Sequence, residues 1–203
     1  MCINLKTSLL AFGVGTGSGY LLTTKSMEKK MMGFFIMFYS LIQLFEAGIY
    51  WSNGDNPLLY SQLIMINLGF QGLIFFLLMN QIYNFTSFYI IVCLTISLYM
   101  LLKALSLQNS NNERLIETDK CIKWNFLGDN SSKVLTLMYG LILYWFWFEN
   151  KITDLNIDNQ FIHNIGIGLT ITMLYSYFLT RNCYSPGVWC LSSAIMAPVF
   201  LYL

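Results

Sequence analysis

The stretch MMGFFIMFYSLIQLFEAGIYWS, residues 31–52, decides how the whole chain is read. It matches the roughly 20 mostly apolar residues that a membrane helix needs. Its one charged residue is Glu46. Tyr39, Gln43, Glu46 and Tyr50 recur at spacings of four, three and four, which puts them on one face of a 3.6-residue helix. The rest of the segment is rich in Leu, Ile, Phe and Met, suited to lipid or to neighbouring helices.

Working outward from this segment, six more apolar runs follow the same logic. The seven expected spans are 8–23, 31–52, 57–79, 85–106, 132–148, 161–180 and 186–203. The first is Gly-rich and weakly hydrophobic, and the fifth is short, bracketed by Lys133 and Glu149. Punctuation agrees with the division: Ser52-Asn53-Gly54-Asp55-Asn56-Pro57 makes a tight turn, and residues 80–84 make another. The only long connection is 107–131, rich in Asn, Ser and charge. The expected fold class is therefore all-α, a polytopic membrane bundle of about seven transmembrane helices in a single domain, 1–203. The first segment also has signal-peptide features, which would leave six spans, but no A-x-A-like cleavage site stands before Lys25.

Composition supports this class and excludes others. The chain is 56% hydrophobic and only 10% charged, whereas a soluble domain is about 25% charged. A soluble protein of this size could not hide so much apolar surface. The net charge is +1, with no basic patch interleaved with aromatics, so no nucleic-acid partner is expected. The expected surroundings are a lipid bilayer, with an ion or small-molecule ligand and a homo-oligomer left open.

Seven spans place the termini on opposite faces. The N-terminal face carries Lys6, Arg114, Lys120, Lys123, Lys133 and Arg181, and the far face Lys25, Lys29, Lys30 and Lys151. The positive-inside rule is thus split. The totals favour a cytoplasmic N-terminal face, while the compact cluster Lys25–Lys30 beside the first span favours a cytoplasmic far face. Cysteines break the tie. Cys2, Cys121, Cys183 and Cys190 fall on or near the N-terminal face, and only Cys93 lies mid-helix. Four thiols on one face suggest disulfides on a non-cytosolic side, although apolar proteins also use Cys as a small hydrophobe. The balance is an extracellular or lumenal N-terminus. Sequons Asn84-Phe-Thr86 and Asn130-Ser-Ser132 occur on opposite faces, so neither arbitrates.

Charged groups at bilayer depth are costly and rare, so each is a functional candidate. Apart from Lys133 at the edge of the fifth span, two lie inside the spans, Glu46 and Lys103. The third span adds Gln62 near its start and Tyr60, Asn67 and Gln71 at helical spacing; the fourth has Thr95, Tyr99 and Lys103 in line. Glu46 lies about five residues, roughly 8 Å, below the N-terminal edge. Gln62 and Lys103 are at similar depth, and Trp189, Ser192 and Ser193 enter the last span from that side. The expectation is a polar pocket open to the N-terminal face, centred on Glu46 with Gln43, closed below by Asn67 and Gln71. Matching depth also suggests a Glu46–Lys103 ion pair. The competing reading is interhelical glue, in which such bonds contribute only about 0.6–2 kcal/mol each.

Weaker signals read structurally. Gly13-Val-Gly-Thr-Gly-Ser-Gly19 lacks the G-K-[ST] ending of a phosphate loop. Its pairs Gly13/Gly17 and Gly15/Gly19 are small-xxx-small contacts. His163 is the sole histidine, so no metal site and no cofactor is expected. Tyr144-Trp-Phe-Trp-Phe148 reads as an aromatic belt, and Pro198 as a kink.

The ends of the chain carry a resemblance. Met1-Cys2-Ile3-Asn4 followed by a helix at Ser8, the pattern Gln43-x-x-Glu46 with Trp51, and Gly187-Val-Trp189-Cys190 together resemble an uncharacterised seven-helix membrane protein family of large DNA viruses and some protists. The resemblance spans the chain on short motifs. It implies a multi-pass membrane protein and no particular activity. The last span holds no lysine, which argues against a retinal Schiff base. The functional expectation is a small channel, transporter or ligand-binding membrane protein using Glu46. A receptor-like or scaffold protein acting through 107–131 is the second class. An intramembrane enzyme is the third, poorly equipped without a Ser–His–Asp set or clustered histidines.

Overall fold

The computed structural model describes residues 5–52, 57–83, 87–107, 128–147 and Ile167, and the described residues contain no strand. The described residues form five helices in chain order: α1 (Leu5–Leu22), α2 (Met27–Trp51), α3 (Pro57–Tyr83), α4 (Ser87–Ser106) and α5 (Gly128–Trp147). They coincide with the first five spans expected from sequence. The expected spans 161–180 and 186–203 lie outside the described residues. Among the described residues, three helical stretches are long and apolar enough to cross a membrane: Met27–Trp51, Leu58–Ile82 and Ser87–Ser106. These point to an integral membrane protein. α1 is not among them, and α5 contributes a shorter apolar stretch, Lys133–Ile142.

Several helices outrun the expected spans, α2 and α3 by four residues each and α5 by four at its start. α2 starts at Met27 rather than 31, and α3 continues to Tyr83 rather than 79. Glu and Lys are strong helix formers, and Glu28 in the first turn of α2 complements the helix dipole. At the start of α2, hydropathy stops where charge begins, but the backbone does not.

Each helix packs on its chain neighbour, and α5 lies across α3 and α4. The α1–α2 turn is short. Thr23 Oγ1 donates to Tyr20 O (2.7 Å) and Thr24 Oγ1 to Leu21 O (2.8 Å), satisfying carbonyls that the ending helix leaves open.

α1 turns small residues inward. Ser8, Ala11, Gly15, Ser18, Gly19 and Leu22 are buried, while Leu9, Leu10, Tyr20 and Leu21 are exposed. Lipid is as apolar as leucine, so close backbone approach, rather than burial of large side chains, holds such helices together. The approach is tightest at Gly19 and Gly33. A Cβ at Gly19 would sit 2.8 Å from Gly33 O, and one at Gly33 would meet Gly19 O in turn. This corrects half of the sequence expectation. Gly15 and Gly19 do lie on the buried face, but Gly13 and Gly17 are exposed, and a Cβ at either would have nothing within 4 Å. Two small-xxx-small pairs offset by two residues face opposite sides of a helix, and only one can meet α2.

α3 and α4 close in the same way. Gly69 lies beneath Met100, and Gly72 lies beneath Met138 with Cys93 Sγ 3.1 Å from its would-be Cβ. Ser97 Oγ is within reach of both Gly69 O (2.9 Å) across the interface and Cys93 O (2.8 Å) on its own helix, so its one proton is shared. The half of the bundle nearest the α1–α2 turn is filled by rings. Phe35 meets Phe75 edge-on (centroids 5.2 Å), Phe75 meets Phe76 (5.2 Å), and Phe76 stacks on Tyr89 (5.0 Å). Offset and edge-on pairs of this kind add to simple burial.

Candidate functional site

α2 lies between α1 and α3 and is apolar nearly all round, so its polar residues have little choice but to be enclosed. Tyr39, Ser40, Gln43 and Glu46 are buried, with Gln43 and Glu46 each 1% exposed, and Tyr50 is half-buried. Ser40 Oγ donates to Ile36 O at 2.8 Å and so is satisfied within its own helix. The face Tyr39–Gln43–Glu46–Tyr50 is thus a continuous polar strip inside the bundle. It runs from mid-helix toward the end of α2 that meets the start of α3.

A second polar group is built on α3. Asn67 (3% exposed) and Gln71 (0% exposed) are one helical turn apart. Tyr139 of α5 donates its hydroxyl hydrogen to Gln71 Oε1. Gln71 Nε2 donates to Asn67 Oδ1 (3.0 Å), and Asn67 Nδ2 donates to Phe38 O of α2 (3.1 Å). Every donor points the same way, from α5 through α3 to α2. In a low-dielectric interior such aligned bonds polarise one another.

The six residues expected in one pocket therefore divide. Gln43 and Glu46 share the α2 strip. Asn67 and Gln71 form the relay and make no hydrogen bond to either of them. Gln62 is half-buried. Five residues before Asn67, it lies about 140° round α3 at 100° per residue, away from the Asn67–Gln71 face.

Lys103 is a correction. It is exposed, in the last turn of α4, and forms no ion pair with Glu46. Thr95 is exposed as well, its hydroxyl bonded to Ile91 O at 2.9 Å. A threonine that satisfies itself on its own helix can face outward, and a terminal lysine can reach the headgroups. α4 instead buries Tyr89, Cys93, Ile96, Ser97, Met100 and Ala104. Lys103→Glu is accordingly expected to leave thermal stability in detergent within about 0.5 kcal/mol of wild type. A larger loss would mean that Lys103 does neutralise a buried carboxylate.

Sequence reasoning missed Tyr139 and Ser97. Tyr139 stood in an unremarked stretch of α5. The signal for Ser97 was the pair Gly69 and Gly72 opposite Cys93 and Ser97, two small residues on each helix at close spacing. Of the expected disulfide set, Cys2, Cys121, Cys183 and Cys190 lie outside the described residues. Cys93 is a free, buried thiol. Among the described residues no three His, Cys, Asp or Glu side chains gather where a metal could sit.

Comparison with protein-family models, curated proteins and solved structures finds no match to this chain.

Proposed function

We propose that this chain is a multi-pass membrane protein that takes up a proton or small cation at Glu46 in the course of transport. The observation that supports it is a carboxyl group 1% exposed within a helix long and apolar enough to cross a membrane. Gln43 lies one turn away on the same buried face. A buried acid in such a helix is costly, and it is useful where a passing positive charge can offset it. Gln43 supplies an amide oxygen that can ligate the same cation and an amide Nε2–H that can donate to the carboxylate. The strip lies toward the N-terminal face, so entry from that side is the shorter route.

Purified protein in liposomes should show a proton or cation flux that Glu46→Gln reduces at least tenfold, with the same detergent elution profile as wild type. An unchanged flux in a folded Glu46→Gln protein would remove this role.

A second reading has its own support. The Asn67–Gln71–Tyr139 relay is separate from Glu46, and aromatic rings fill the bundle beyond it. No polar strip continues from Glu46 to the far face among the described helices. That favours a ligand-binding site open to one side, without passage. Binding of a cationic ligand that depends on Glu46, with no flux, would select this reading. The expected extracellular or lumenal N-terminus belongs to the same proposal.

A further inference from the structure

The α1–α2 hairpin has an edge where lipid-facing residues give way to charge. On α1, Tyr20 and Leu21 are exposed (65% and 52%), followed by exposed Thr24 and Lys25. On α2, Met27, Lys30 and Phe34 are all exposed, at spacings of three and four, which places them on one face. Lys30 thus stands between two outward apolar side chains. Lys29 and Glu28, both half-buried, complete the cluster. Within Lys25–Lys30 the balance is three lysines to one glutamate.

This arrangement is more specific than a basic loop. Exposed Tyr20, Leu21 and Phe34 mark surface suited to hydrocarbon, and a tyrosine at such an edge suits the headgroup boundary. Lys25 follows directly, on a turn held short by the Thr23 and Thr24 hydroxyl bonds, and Lys30 stands in the first turn of α2. Their flexible stems can carry the ammonium groups to the level of the lipid phosphates. Cationic side chains so placed attract anionic headgroups by about 1 kcal/mol each, an effect confined to roughly a Debye length.

We propose that the Lys25–Lys30 turn is a binding surface for anionic phospholipid headgroups, with Lys25 and Lys30 as the principal contacts. The occupant is a lipid of the surrounding leaflet, with its acyl chains along Tyr20, Leu21, Met27 and Phe34 and its phosphate at the lysines. Anionic lipid is concentrated in cytoplasmic leaflets, so this surface draws the α1–α2 turn to the cytosolic side. The inference rests on the membrane reading of the chain but not on any role for Glu46.

The test uses full-length protein in nanodiscs of phosphatidylcholine containing trace spin-labelled phosphatidylserine or spin-labelled phosphatidylcholine. Wild type should hold the serine lipid more tightly than the choline lipid. The K25Q/K30Q double variant should lose this selectivity by roughly fivefold per lysine. Both positions are exposed, so its helicity and elution should match wild type. Lys103→Gln, an exposed lysine at the opposite end of the bundle, should keep the selectivity. In wild type about 1 M salt should abolish it, the Debye length then being ~3 Å. Selectivity retained in K25Q/K30Q, or lost equally in Lys103→Gln, would overturn the proposal. Displacement of labelled lipid by inorganic phosphate would reassign the surface to free phosphate compounds and overturn it too. The readout is lipid selectivity, so its failure is distinguishable from a failure of the Glu46 reading, which is read as flux.

Discussion

Gly33→Ala is expected to destabilise the α1–α2 pair by about 1–3 kcal/mol, the usual cost of overpacking a closed interface, and Gly33→Leu to cost more or to prevent folding. The reason is what the new methyl would strike. At Gly33 a Cβ would meet Gly19 O, with Leu22 Cβ at 3.0 Å and Thr23 N at 3.1 Å. A flexible side chain can swing aside, but a helix carbonyl cannot move without moving its helix. Gly19→Ala should behave alike, because its Cβ would lie 2.8 Å from Gly33 O and 3.2 Å from Met37 N. Gly13→Ala and Gly17→Ala are the controls on the same helix. With nothing within 4 Å, they should be neutral or slightly stabilising, since alanine is the better helix former by about 1 kcal/mol. Thermal unfolding in detergent of the four single variants makes the comparison. Equal losses at 13, 17, 19 and 33 would show that glycine content in general matters, and not the α1–α2 crossing.

The same four glycines show what the sequence could and could not disclose. Spacing found both pairs, but spacing has no knowledge of where α2 stands, so it could not choose between opposite faces. Segment placement was readable because an apolar run bounded by Asn53-Gly54-Asp55-Asn56-Pro57 is decided by local chemistry. The burial of Gln43, Glu46, Asn67 and Gln71 was readable too. A strongly polar side chain in a lipid-length helix has few other places to go. Thr95 and Lys103 broke the pattern for physical reasons. A hydroxyl can be satisfied by Ile91 O of its own helix, and a lysine in the last turn can leave the bilayer. Depth was a poor guide to contact as well. Gln62 sits near the level of Glu46 but well round α3 from Asn67. The partners of the buried amides were not legible at all. One is the backbone oxygen of Phe38, which no residue identity encodes, and the other is Tyr139, distant in sequence and brought in only when α5 crosses α3.

Asn67→Asp is expected to cost about 3 kcal/mol, the scale for an acid at the centre of a membrane helix, and more than Asn67→Ala despite its closer shape. The relay has a fixed polarity, and its far end sets it. Phe38 O can only accept, so the atom of Asn67 facing it must be the Nδ2 donor. Asn67 Oδ1 is then turned toward α3's next turn, and Gln71 must present Nε2 to it. That leaves Gln71 Oε1 for Tyr139, whose hydroxyl can donate. One backbone carbonyl thereby orients two amides and a phenol across three helices. An aspartate at 67 has no donor for Phe38 O and sets two oxygens against each other where water cannot intervene. Gln71→Glu should fail by the same logic, because Asn67 cannot rotate its amide to donate upward without turning Oδ1 onto Phe38 O. Gln71→Leu, which leaves Tyr139 and Asn67 each short of one partner, should cost less, about 1–2 kcal/mol. The order to be measured by thermal unfolding is therefore Asn67→Asp and Gln71→Glu below Gln71→Leu and Asn67→Ala. If the acids were as stable as the apolar variants, the relay would have no fixed direction, and its amides would be simple packing. If the order holds, α5 is fastened to α2 and α3 by bonds that tolerate neither reversal nor added charge. The relay then holds its own stable arrangement below Glu46, independently of whatever Glu46 binds.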